Sequence, residues 1–263
     1  MMTLDSGAAP ARPMVILTAV SLAFLATSLL WAGFDTRMID GTAVWAKPLK
    51  FSISFAVLFA TMAWVEPYFS PVWRNGRMFA GIAGVMAAAM LLEMLYMISQ
   101  AAQGQTSHFN VGTPFTALMY TLMGVGAVCL VIGVGLMGWA ALRDKAASFG
   151  PGLRVGVAWG FILSFVLTMI TAGTMSSMAG HSIGTPAAGA AVIPLMGWSA
   201  SVGDLRPAHF VSLHAMQVLP LLGWWRDRQG RSAGFVKIAA VIYAAITLGL
   251  FVQALMGLPV IRL

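Results

Sequence analysis

The chain has 263 residues, of which 59% are hydrophobic and only 9% charged, with a mean hydropathy of +0.86. A soluble domain carries about a quarter of its residues as charges, so a water-soluble core is excluded. The formal charge of +7 does not indicate nucleic acid: no basic run interleaves with aromatics, and basic rims beside anionic lipid headgroups account for it.

A helix needs about 20 mostly apolar residues to cross a hydrocarbon core roughly 30 Å thick. Seven stretches qualify, which predicts an all-α, polytopic integral membrane helix bundle forming a single domain over residues 1–263. The first, Met14–Gly33, ends in Leu30-Trp31-Ala32-Gly33 rather than a small-x-small cleavage site and is expected to be an uncleaved span. The second, Pro48–Phe69, is the weakest. Its charge-free part, Phe51–Val65, is only 15 residues, so Lys50 must snorkel outward and Glu66 must sit at the opposite rim. Just before it, Trp45 and Lys47 resemble an interface anchor, with an anionic headgroup or substrate as the alternative role for the lysines.

The third to seventh spans are expected at Met78–Ser99, Pro114–Leu142, Val155–Met178, Pro207–Trp225 and Ile238–Ile261. Pro114 and Pro207 fit the first helical turn, where no amide is needed. Gly126 and Gly133 share one face of the fourth span, beside Gly124 and Gly135, which indicates close helix packing. The lone Cys129 lies mid-span as a small apolar filler.

With the N-terminus inside, the inner segments hold ten of the fifteen Lys and Arg and the outer segments five, which favours N-in and C-out. Both informative loops are then outer: 100–113, without formal charge, and 179–206, whose only charges are Asp204 and Arg206. The latter's apolar centre, Ala187–Trp198, is interrupted by Pro194 and too short to span. It suits a cap or re-entrant segment over the bundle. An Asp204–Arg206 ion pair would tether it to the sixth span, with a substrate clamp as the alternative.

All four histidines fall on this outer side, with Glu93, an acid well inside a span. From helix rise, Glu93, Tyr120, His214 and Gln253 share a depth of about 8–10 Å below the outer surface of the core. An intramembrane carboxylate faces protein or water and usually serves a site, although it can also simply fasten helices. Glu93 and Tyr120 are therefore the candidate proton-handling, catalytic groups. Gln217, Gln253, Lys47, Asp204 and Arg206 are candidate substrate contacts. His214 and Gln217, at i and i+3, point the same way, whereas His209 and His214 diverge by about 140° and cannot share one metal from a regular helix.

The leading reading is a membrane-embedded redox protein holding haem b or a transition metal in its outer half. His214 is the first imidazole ligand, His108 or His181 the opposing one, and His209 a further cofactor contact. Such an oxidoreductase would exchange electrons with quinone or a redox partner subunit, at the periplasmic side of a bacterial cytoplasmic membrane. A second reading is a small-molecule or ion transporter with Glu93 and His214 as its protonatable pair. A third is an assembly or scaffold subunit, in which these groups are only structural. Walker, CxxC, HExxH and activated-serine motifs do not occur. Copper gains little from the 19 methionines, which form no Met-x-Met cluster.

Overall fold

The computed structural model describes residues 12–178, 180–187, 189–194 and 196–262. Its helices are α1 (Pro13–Ala32), α2 (Ala46–Val65), the short α3 (Pro71–Arg74), α4 (Arg77–Ala102), α5 (Pro114–Arg143), α6 (Pro151–Ser177), α7 (Arg206–Arg228) and α8 (Gly234–Leu255). Two small hairpins pair β1 (Met38–Ile39) with β2 (Thr42–Ala43), and β3 (Ser182–Ile183) with β4 (Gly203–Asp204). Among the described residues, six of the seven long helices are long and apolar enough to cross a membrane, so the chain is an all-α membrane bundle in contact with lipid. The exception is α7, whose His209, His214, Gln217 and charged ends make it too polar for that set.

Local chemistry explains where the helices start and stop. Pro13, Pro114, Pro151 and Pro207 each stand in a first turn, where an amide would have no intrahelical partner. Thr113 and Thr116 form a reciprocal cap on α5, each side chain accepting the other's amide at 3.1 Å. α6 begins earlier than the expected Val155, because Asp227 of α7 accepts the Gly152 and Leu153 amides at 2.7 and 2.8 Å. That carboxylate satisfies two unpaired amides at the positive end of α6. α8 stops at Leu255 rather than Ile261, since Gly257 turns left-handed (φ +77°) and Pro259 cannot extend the helix.

Two groups of helices result. α1, α2 and α4 pack together, α6, α7 and α8 pack together, and α5 joins them by packing against α4 and α6. Gly126 of α5 meets Ala89 and Gly133 meets Met86 of α4, while Gly135 and Gly138 meet Phe165 and Phe161 of α6. The core is rich in sulfur: Met62, Met86, Met90, Met94, Met97 and Met137 are all essentially inaccessible. Flexible thioethers fill the irregular space between these curved surfaces.

The tightest seam is α6 against α7. Gly152 faces Gly223, Gly156 faces Leu219 and Gly160 faces Ala215, so the helices run antiparallel on a ridge of small residues. Towards the C-terminal end of α6 hydroxyls replace glycines. Ser164 donates to the Leu213 carbonyl at 3.0 Å, Thr168 and Ser212 pair at 3.0 Å, and Thr171 lies 3.2 Å from His209 Nδ1.

Candidate functional site

The end of the α1–α2–α4 group that holds Ala32, Ala46 and Ala102 is shaped by its connections. Asp40 and Gly41, both at positive φ (48° and 75°), form the tight turn between β1 and β2. Arg37 holds this hairpin down by donating to the Ala102 carbonyl at the end of α4 (3.0 Å) and by pairing with Asp35 at 2.7 Å. The Arg37 and Trp31 side chains hold the Asp35 carboxyl well below its ordinary range. Between the hairpin, the first turn of α2 and residues 105–109 lies a cavity of about 590 Å³. That is within the roughly 300–1,000 Å³ of small-molecule sites.

Lys47, Lys50 and His108 supply the basic groups of this wall, Thr42, Gln105 and Thr106 further polar ones, and Ile39, Val44, Phe51, Met97 and Phe109 the apolar part. His181 reaches the same cavity from the long outer loop. Immediately behind the wall, Glu93 is 5% exposed, and its Oε1 lies 3.7 Å from His108 Nε2. This is a close electrostatic contact, longer than a hydrogen bond. The other ring nitrogen, Nδ1, lies 3.1 Å from Ser107 Oγ. Phe51 and Tyr120 flank the imidazole with ring centres at 5.5 and 6.4 Å. Burial pushes the His108 imidazole below its ordinary value and the Lys47 ammonium adds to this, against the pull of Glu93. The three groups therefore form one coupled set, in which a proton on His108 is favoured only by the Glu93 charge.

The expected meeting of Glu93, Tyr120, His214 and Gln253 is only partly realised. Glu93 and Tyr120 converge, but on His108. Gln253 instead caps its own helix end, donating to the Pro259 carbonyl at 2.8 Å. His214 belongs to the seam between α7 and α2: its Nδ1 lies 3.2 Å from Gln217 Oε1, and Gln217 donates to Thr61 of α2 at 3.2 Å. Phe210 packs on the His214 ring at 4.2 Å. Equal depth fixes height along the helices but not the direction in which each side chain points. The expected divergence of His209 from His214 is present, with His209 turned towards Thr171 of α6.

Asp204 organises the long loop. Its 3%-exposed carboxylate pairs with Arg206 at 2.6 Å, accepts the Ser199 amide at 2.8 Å and lies 3.7 Å from His181 Nδ1. Arg206 also donates to the Gly197 carbonyl at 2.6 Å. The loop is irregular, with a Val192–Ser199 bridge and the β3–β4 pair, and no helix forms among its described residues. Burial works against the Asp204 charge, but Arg206 and the Ser199 and Arg206 amides outweigh it and hold the carboxyl below its ordinary value. A depressed carboxyl stabilises the fold above the unfolded value of about 3.9, and the contribution is lost as pH falls through the folded one. Asp204→Asn is expected to loosen the loop by about 2 kcal/mol, the scale of a charge-assisted hydrogen bond lost in a partly buried site. Faster amide exchange at Ser199 and its neighbours at pH 7 would report it; unchanged exchange would show that the pair does not anchor the loop.

Among the described residues, no three His, Cys, Asp or Glu side chains converge to hold a metal ion. His108 and His181 line one cavity, whereas His209 faces Thr171 and His214 faces Gln217, so the expected pairing of His214 with His108 or His181 gains no support from the donor geometry. Sequence reasoning missed Ser107 and Phe51 beside His108, the hydroxyls that engage His209, and the Asp40-Gly41 turn on the cavity rim. The turn alone carried a usable signal, since Asp-Gly favours two-residue hairpins. No family model, curated protein or solved structure matches the chain.

Proposed function

We propose that the protein is a small-molecule binding protein of the transporter type, in which occupancy of the outer cavity is coupled to protonation of the Glu93–His108 pair. His108 takes the part that the sequence suggested for His214. The observation that carries this reading is the buried Glu93 carboxylate touching an imidazole that itself lines a cavity of about 590 Å³. A carboxylate in such a position is costly and is retained where a site needs it. Charge-displacement recordings on membranes holding the purified protein test this directly, using anionic, neutral and cationic solutes. A solute-evoked, pH-dependent current that loses its pH dependence in Glu93→Gln is expected. An identical pH profile in that variant would remove the proton-coupled role and leave the scaffold reading.

In this reading seven helices cross a bacterial cytoplasmic membrane, N-in and C-out, with the cavity at the periplasmic side. The ten-to-five division of basic residues supports the orientation. The antiparallel run of α7 along α6 supports counting α7 as a span. Cysteine labelling should find 143–154 and 229–233 on the inner side and 180–206 on the outer side. Finding 180–206 and 229–233 on one side would reduce the count to six. A redox role with haem b or a metal, exchanging electrons with quinone, would require ligands other than a convergent set of these imidazoles.

A further inference from the structure

We infer that the outer cavity takes an amphipathic anion, a carboxylate- or phosphate-headed molecule with an apolar tail, entering from the membrane surface; the inference rests on the reading of this cavity as the binding site. Its lining combines basic and apolar groups. Lys47 and Lys50, one turn apart at the start of α2, present two ammonium groups, with His108 beside them. The first turn of α2, at Ala46 to Pro48, also lines the cavity and has no side-chain cap, so the positive end of the helix adds to the same field. Among the described residues, Asp40 is the one carboxylate lining the cavity, and it lies exposed at the hairpin tip. Glu93 sits behind the wall, towards His108 rather than at the mouth.

The rest of the lining is greasy: Ile39, Phe51 and Phe109 present apolar surface, with Val44 and Met97 buried behind them. A small hydrophilic anion leaves that surface unused, whereas an alkyl or prenyl tail covers it. The surrounding outer connections are also apolar: Phe34, Met38 and Val111 are 78%, 63% and 66% exposed, and Phe109 itself is 43% exposed. On a membrane protein such side chains belong at the headgroup level, where an amphiphile is concentrated. Outer lysines that run against the positive-inside trend gain a reason from this chemistry.

The test is titration calorimetry on the full-length protein in nanodiscs of pure phosphatidylcholine. Decanoate and dodecyl phosphate serve as probes, with decanol and dodecyltrimethylammonium as neutral and cationic controls. Saturable binding of the two anions alone is expected. Lys47→Gln and Lys50→Gln should each weaken it by about tenfold, the effect of one charge-assisted contact, and Lys47→Arg should restore it. Competition by phosphatidylglycerol in the nanodisc would identify a lipid headgroup as the natural source. Anion binding indifferent to that lipid would identify a free amphiphile. Equal binding of decanol, or unchanged affinity in both lysine variants, overturns the inference. If a neutral or cationic solute instead drives the Glu93-dependent current, proton-coupled binding stands and the anionic class falls; if no solute does, the site reading itself falls.

Discussion

Gly156→Leu is expected to prevent the bundle from assembling, with loss of most folded protein from a mild-detergent extract. A Cβ at position 156 would lie against the Leu219 carbonyl and the Pro220 backbone, atoms that cannot rotate away. The two helices would have to separate along the whole Gly152–Gly156–Gly160 ridge. Even Gly156→Ala should cost about 1–3 kcal/mol, the usual penalty for overpacking, and leucine considerably more. Gly124→Ala provides the control, since nothing lies within 4 Å of its added Cβ. A monodisperse, wild-type-like elution profile for Gly156→Leu would mean that α6 and α7 do not touch at these residues.

The largest functional effect is expected from Glu93→Gln. The amide preserves the size and much of the hydrogen-bonding capacity of the side chain, but it removes the charge that draws a proton to His108. Without that charge, burial and Lys47 both act against protonation, so His108 should stay neutral to lower pH. Solute-evoked proton uptake should therefore fall by at least about tenfold, the scale of one lost charge-assisted contact. His108→Gln should reduce uptake as well, since Glu93 is left without its imidazole partner. His214→Ala should leave it intact, because that imidazole is engaged with Gln217 on the α2–α7 seam. Loss of uptake in His214→Ala together with full uptake in His108→Gln would reverse the assignment.

Much of this architecture was legible because lipid imposes a simple rule on sequence. Apolar length located the helices, and Pro114 and Pro207 marked two starts to within a residue. The Asp204–Arg206 pair was legible because two opposite charges stood alone in an otherwise uncharged loop. Helical spacing correctly aligned His214 with Gln217. The partner of Glu93 was harder to read. Depth ranks residues along the membrane normal, and Gln253 and His214 have depths similar to that of Glu93, but their directions are set by packing. His108 reaches Glu93 through a non-helical loop, whose path has no periodic signal. The glycine reading was confined to α5; the α6 ridge of Gly152, Gly156 and Gly160 is identified only by its antiparallel register with α7.

The central claim is that Glu93 and His108 form a proton-exchanging pair beneath the outer cavity. Infrared difference spectroscopy of the purified protein across a pH step tests it most directly. A carboxyl band should appear on acidification, vanish in Glu93→Gln and move in frequency or in midpoint in His108→Gln, while His214→Ala leaves it unchanged. A carboxyl band that persists in Glu93→Gln, or one indifferent to His108→Gln and shifted by His214→Ala, would contradict the account.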